Sequence, residues 1–310
     1  MIALAEPSAP SARVVAQAKI NLRLRMLARG TTGFHELETI FLKLALADDV
    51  LVRITEGVRS LDVSGDVDAV ALGPTERNLA WRAATAYAER ASWPVGFAIE
   101  VRKHIPVGAG LGGGSADAAA VLRALDALAP RPLGELRLLA IAQRLGADVP
   151  FLVSPIAFAL AWGRGQRMFA LEPPEEREVL VVVPAFGVNT AEAYRWFADW
   201  RDWETYGQHP AGVLRPERMS DWAHLANLAV NDFQPVVAER HPAIDRIATS
   251  LEQLGCEPAM LTGSGSSVFG VLPRGHRVDV EALARDPSMH GSRVLLTRTA
   301  TSVAPVLEGQ

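Results

Sequence analysis

Five glycines fall within seven residues at 108–114, in the run Pro106-Val107-Gly108-Ala109-Gly110-Leu111-Gly112-Gly113-Gly114-Ser115. Glycines at this density let the backbone adopt φ > 0 and approach a ligand with no Cβ in the way. The Ala- and Leu-rich segment behind them reads as a helix, whose unpaired N–H groups and positive dipole end suit an anion. The chemistry on offer is the holding of phosphate. A P-loop is excluded, because Gly114 is followed by Ser115-Ala116 and not by a lysine and a hydroxyl residue. A dinucleotide fingerprint needs a βαβ unit, and here the loop follows Pro106 and a charged strand. What remains is a glycine loop with Ser115 near a helix N-terminus.

Three other segments place polar residues where they could serve such a loop. Ala16-Gln17-Ala18-Lys19-Ile20-Asn21-Leu22 sets a lysine between apolar neighbours, and alone Lys19 reads as a solvated edge residue. Leu145-Gly146-Ala147-Asp148-Val149-Pro150-Phe151 sets an aspartate before Val-Pro, and alone Asp148 reads as a turn residue or a helix N-cap. Leu261-Thr262-Gly263-Ser264-Gly265-Ser266-Ser267 reads as a turn.

The elements that must position these segments follow from periodicity. Ser11 to Leu27 reads as a strand, with apolar and polar residues alternating from Ile20 to Arg25. Val50–Ile54 and Phe97–Val101 read as further strands and Asn78–Arg90 as a helix. The glycine loop opens a helix to about Leu128, closed by Pro130 and Pro132, and Leu133–Leu145 forms another. Beyond Gly163-Arg164-Gly165 a strand is expected at Val179–Val183, helices at Ala191–Trp203, Pro235–Ala238 and Ala243–Leu254, and a strand at Val268–Leu272. Strands and helices mix without regular alternation, which predicts an α+β fold. At 310 residues two domains are expected, divided as 1–165 and 166–310.

A net charge of −4 with both signs interspersed supplies no field to attract nucleic acid. The same charge means that a phosphate ligand has to be held by local donors and a divalent cation. The longest apolar runs, such as 179–183, are far too short for a bilayer. Met1 to Ala12 lacks the basic start and continuous apolar stretch of a secretory signal. Cys256 is the single cysteine, so no intrachain disulfide can form, and with no His near it in sequence it reads as a small buried residue. These features predict a cytoplasmic protein with no membrane or nucleic-acid partner; they do not choose between a monomer and a homodimer. The seven His include no pair at metal-ligand spacing, so no metal site of the chain's own is expected.

Taken together and in order, Ala18-Lys19-Ile20-Asn21-Leu22, the glycine run, Gly146-Ala147-Asp148-Val149-Pro150 and Thr262-Gly263-Ser264-Gly265-Ser266-Ser267 resemble the GHMP kinase superfamily, over roughly residues 13–272. Gly33-Phe34-His35-Glu36-Leu37, Thr39-Ile40-Phe41 and Asn231-Asp232-Phe233 are similar to segments of the branch that acts on a cytidine-bearing alcohol of the non-mevalonate isoprenoid pathway. The resemblance implies a two-domain α+β fold with the active site in the interdomain cleft. It implies ATP and Mg²⁺ as cofactors and phosphorylation of the 2-hydroxyl of a cytidine diphosphate-linked methylerythritol.

By position in the motifs, the resemblance makes Asp148 the general base and Lys19 its companion, stabilising charge on the moving phosphoryl. It places Pro106, Gly108, Gly110, Leu111, Gly112, Gly113, Gly114 and Ser115 at ATP, with Ser115 helping to place Mg²⁺, and Asn78 and Lys103 near adenine and ribose. Phe34 stands where the family pattern has Tyr, which removes a hydroxyl and keeps a stacking face. Phe34 and Tyr194 are implied to sandwich the cytosine and His35 to read its edge; Phe41 belongs to that pocket or to the core. Asn21 and Thr190 are implied at the alcohol end, and Thr262, Gly263, Ser264 and Gly265 shape the cleft. Trp196, Trp200 and Trp203, at helical spacing, have no place in the resemblance and read as packing. Two alternatives stand beside this reading. A kinase for homoserine or mevalonate would have no base to stack, and a silent nucleotide-binding regulator would be expected to lack Lys19 or Asp148.

Overall fold

Two long strands, β1 (Ser11–Arg29) and β2 (His35–Thr55), pair antiparallel along almost their whole length and form the spine of the fold. The computed structural model describes residues 9–29, 35–67, 73–200 and 214–309. The two ends of β2 have different second neighbours. Its C-terminal end pairs with β4 (Gly96–Lys103), beside which β3 (Arg59–Gly65) runs parallel. Its N-terminal end pairs with β5 (Phe158–Gly163), which turns through Arg164-Gly165 into β6 (Arg167–Ala170). The chain leaves this sheet after Ala170.

Sequence periodicity marked only residues 50–54 of β2, because residues 39–44 are buried on both faces of the sheet and carry no apolar–polar alternation. Helices α1 (Leu79–Ala91), α2 (Gly113–Leu128), α3 (Glu135–Leu145) and α4 (Val149–Val153) build the first core with this sheet. Ala116, Ala118, Ala119, Ala120 and Ala124 of α2 are buried, and such small side chains let the helix lie close to β1. That close seat fixes the helix N-terminus against the strand that carries Lys19.

The second sheet is antiparallel, in the order β11 (Arg293–Arg298), β7 (Glu178–Val183), β10 (Val268–Val271), β9 (Ala259–Leu261). Helices α5 (Thr190–Trp200), α6 (Gln234–Arg240) and α7 (Ala243–Gln253) pack on it around a second core. Two short strands tie the halves together, β8 (Val230–Asn231) parallel to β1 and β12 (Val306–Gly309) antiparallel to its start. Cys256 is buried in the second core, and burial pushes its thiol up to about 12, which keeps it protonated and inert. On α5, Trp196 lies under the Arg240 guanidinium at 4.9 Å while Trp200 is exposed; Trp203 lies outside the described residues. Among the described residues no helix is long and apolar enough to cross a membrane.

Candidate active site

Lys19 sits between two register shifts of the β1–β2 ladder, at Gln17/Lys19 and Asn21/Arg23. Such irregularities bend a strand and re-aim its side chains. Here the ammonium points out of the sheet toward the start of α4, where Asp148 Oδ2 lies 3.3 Å from Lys19 Nζ. Asp148 occupies the N-cap position of α4, yet its side chain makes no capping hydrogen bond. The carboxylate is therefore left for Lys19 and for the space in front of it. The lysine side chain is 3% exposed and the aspartate 29%, so the pair is anchored in protein on one side and open on the other.

Asn21 holds Lys19 in place. Its Oδ1 accepts from Lys19 Nζ at 2.7 Å and from the Gly263 N–H at 3.1 Å, and its Nδ2 donates to Thr39 Oγ1 at 2.8 Å. The Asn21 N–H in turn donates to Thr262 Oγ1. Asn231, in the Asn-Asp-Phe segment, donates to the Leu261 and Gly263 carbonyls and braces the same turn from behind. Asn231 and Thr39 carry this support, which motif reading did not assign to them. Buried polar residues inside apolar runs were the available signal.

Two glycines press directly on this constellation. Gly112 has φ +75, and a Cβ there would stand 3.1 Å from Lys19 Cγ. Gly110 has φ +77, and its Cβ would stand 2.4 Å from the Thr262 carbonyl oxygen. Both positions hold left-handed backbone, and each also packs closely, Gly110 against the 262–265 turn and Gly112 against the Lys19 side chain. Gly112 is also the N-cap of α2, so the unpaired N–H groups of Gly113, Gly114 and Ser115 open toward the Lys19–Asp148 pair, with no acidic residue in the first turn to oppose an anion.

Beneath the loop lies a second lysine site. Lys103 Nζ donates to Asp48 Oδ2 at 2.5 Å and to Asp117 Oδ2 at 2.6 Å, with all three side chains buried. Asp48 also accepts from the His104 and Ile105 N–H groups and so fixes the corner that leads into the glycine loop. Burial drags the Lys103 pKa down, but the two carboxylates outweigh it and the net direction is upward. Burial pushes Asp117 up, to about 7, against the pull of Lys103. Its Oδ1 is buried without a hydrogen-bond partner. Lys103, expected near the nucleotide sugar, thus spends its ammonium on two carboxylates while its side chain still borders the cavity.

Of the expected residues, Lys19, Asn21, Phe41, Asn78, Lys103, Pro106, Gly108, Gly110, Gly112, Gly113, Gly114, Ser115, Asp148, Thr190, Tyr194, Gly263 and Ser264 line one cavity of about 540 Å³ between the two halves. Leu111, Thr262 and Gly265 stand behind its wall. Leu111 is buried and accepts the Lys19 N–H at its carbonyl. Asn78 caps α1 by accepting the Ala80 N–H at 2.8 Å. Opposite the glycine loop, Thr190 and Ser264 share a hydrogen bond of 3.0 Å, and Tyr194 packs edge-on against Phe233. Burial, and then the negative charge of Asp148, push the Tyr194 phenol up to about 12. Phe41 stacks on Phe151 at 4.8 Å and borders the cavity, so it serves core and pocket at once. Phe34 and the side chain of His35 lie outside the described residues.

An anion cradle, a lysine–carboxylate pair at its mouth and an acceptor space beyond form the working parts of a phosphoryl-transfer site. Comparison with known proteins points the same way. Residues 78–155 match the family model "GHMP kinases N terminal domain" and residues 213–285 match "GHMP kinases C terminal". A protein of Desulfotalea psychrophila named 4-diphosphocytidyl-2-C-methyl-D-erythritol kinase is 38% identical over 263 residues, 84% of this chain and 85% of its own. One of Heliobacterium modesticaldum with the same name is 33% identical, over 83% of this chain and 85% of its own. A solved 4-(cytidine 5'-diphospho)-2C-methyl-D-erythritol kinase superimposes with a TM-score of 0.72 at 32% identity, covering 93% of this chain and 99% of that one.

Proposed function

The chain belongs to the GHMP kinases, and from that membership we propose that it transfers the γ-phosphoryl group of ATP to the 2-hydroxyl of 4-diphosphocytidyl-2-C-methyl-D-erythritol. The observation that carries the reading is the Lys19–Asp148 pair, 3.3 Å apart and facing the cavity directly in front of the α2 N-terminus. The N–H groups of Gly113, Gly114 and Ser115 hold the phosphates, helped by the positive end of the helix dipole. Asp148 orients the acceptor hydroxyl and takes its proton as the new oxygen–phosphorus bond forms and the β–γ bridging bond breaks, with ADP leaving. Lys19, held by Asn21, stabilises charge on the phosphoryl in flight.

The donor set suits Mg²⁺, which takes one or two protein oxygens and draws its remaining ligands from phosphates and water. Ser115 Oγ and the unpartnered Asp117 Oδ1 are the protein oxygens we assign to it. The ion would neutralise phosphate charge that the net charge of −4 does nothing to offset. On the acceptor side, Tyr194 and Phe41 supply aromatic surface, Thr190 and Ser264 supply hydroxyls, and we assign Phe34 and His35 to the cytosine. For the division into domains we propose the point where the chain leaves the first sheet, just past Ala170; the boundary expected at 165/166 falls inside the β5–β6 hairpin.

Side-by-side assay of ADP release with 4-diphosphocytidyl-2-C-methyl-D-erythritol, methylerythritol phosphate, homoserine and mevalonate tests the assignment. Turnover is expected with the cytidine-bearing alcohol alone. Turnover confined to an acceptor without cytidine overturns it.

A further inference from the structure

A second cavity, of about 660 Å³, shares no lining residue with the kinase cleft and borders α2, α3 and the C-terminal end of α4. Most of its wall is apolar, contributed by Leu138, Leu139, Val153, Ile156 and Leu171. Into this wall comes one guanidinium, that of Arg123 on α2, half-buried and holding only the Ala304 carbonyl at 2.5 Å. Directly behind the wall lies a second cation, Lys43, whose ammonium donates to the Leu152 and Ser154 carbonyls at 3.2 and 3.1 Å. Among the described residues neither cation forms an ion pair with a carboxylate. Burial pulls the Arg123 pKa down, and burial together with Arg123 pulls Lys43 down to about 7. Glu135 borders the cavity from an exposed position, where water screens its charge.

A guanidinium drawn partly out of water with no counter-charge, and with a second basic group behind it, is costly to the fold, and an anion seated beside it lowers that cost. The volume is that of a small-molecule pocket, and such pockets combine apolar walls with a few orienting polar groups. We propose that this cavity binds a small organic anion, a phosphate or carboxylate head on a short hydrocarbon chain. Arg123 meets the head and the Leu138–Leu139–Ile156 wall covers the chain. The occupant would sit one short helix away from Asp148, since α4 begins beside Asp148 and ends at Val153.

Titration calorimetry on the full chain tests this, with the kinase cleft saturated by a non-hydrolysable ATP analogue. The probes are hexyl phosphate, hexanoate, hexanol and inorganic phosphate. One or both of the two alkyl anions should bind at least about tenfold more tightly than hexanol and inorganic phosphate, the contrast expected when a charge-assisted bond and an apolar wall are both required. The difference between hexyl phosphate and hexanoate identifies the head. Arg123→Gln removes the cation and Ile156→Trp fills the cavity with Arg123 left in place. Each should weaken binding by about tenfold or more while affinity for the ATP analogue, measured on the same samples, stays within about twofold of the parent. Equal binding by the parent and both variants overturns the proposal, as does failure of both alkyl anions to bind the parent.

Discussion

Lys19 and Lys43 face each other across the β1–β2 ladder, and both are buried, at 2% and 1% exposure. Each ammonium stands over one ring of the stacked pair Phe41–Phe151, at 5.8 and 5.3 Å. Only their partners differ. Lys19 has the Asp148 carboxylate and the Asn21 amide, and looks onto the cleft. Lys43 has two carbonyls from the C-terminal end of α4, and its nearest ionic influence is the repulsion of Arg123. The same side chain in the same burial thus faces an open cavity beside a carboxylate in one case and clamps a helix end in the other. The two lysines hold the two ends of α4, so the clamp behind steadies the carboxylate in front.

The largest test of this contrast removes the carboxylate charge from the Lys19 side. Asp148→Asn should lower kcat by ~10²–10⁴, the usual worth of general-base help, and leave ATP affinity nearly unchanged. Steady-state kinetics alongside nucleotide titration separates the two quantities. Undiminished kcat would remove Asp148 from the chemistry and leave Lys19 no more special than Lys43.

Lys103 extends the series to a lysine with two buried carboxylates. Lys103→Met strips both of their partner and should cost about 3–5 kcal/mol of stability, the range for breaking a buried ion pair from one side. Equilibrium unfolding in urea measures it. A loss under about 1 kcal/mol would mean that the carboxylates are relieved by protonation, as the raised Asp117 pKa favours.

The clamp itself has a pH signature. The Lys43 pKa is lowered from 10.5 to about 7 in the folded protein, burial being the larger cause and Arg123 the lesser. Between those values the unfolded chain holds a proton that the folded one has released, so this group makes stability rise with pH from about 7 to about 10.5. Its contribution to the slope is at most ~1.4 kcal/mol per pH unit. Lys43→Met should abolish that part of the slope in unfolding curves taken across the window. An unchanged slope would place the titration elsewhere.

Much of this arrangement was legible in the residues and some of it was not, for identifiable reasons. The glycine loop announced itself because left-handed backbone and close approach leave glycine as the only choice at Gly110 and Gly112. Lys19 and Asp148 read alone as an edge lysine and a cap, and only the company of the other motifs raised them. The structure gives the physical correction, since Lys19 is interior and the Asp148 side chain caps nothing. The first half of β2 escaped because a strand buried on both faces has no period-two pattern. Lys103 was readable as a cation but its partners were not, because Asp48 and Asp117 reach it from 55 and 14 residues away. Local pattern cannot report such pairings.

The smallest expected effect concerns the hydroxyl pair on the acceptor side. Thr190 Oγ1 and Ser264 Oγ are 3.0 Å apart at the cavity wall, and no hydrogen bond joins either to Lys19 or Asp148. Thr190→Val keeps the side-chain shape and removes one hydrogen bond worth about 0.5–1.5 kcal/mol, which corresponds to roughly a two- to tenfold change in an equilibrium. If these hydroxyls orient the acceptor and take no part in the charge movement, that change belongs in KM for the acceptor, with kcat within about twofold of the parent. A kcat loss approaching that of Asp148→Asn would mean that the chemical step reaches across the cleft to α5. The difference between Lys19 and Lys43 would then have to be explained by what the second domain presents to the first, beyond the partners each lysine finds on α4.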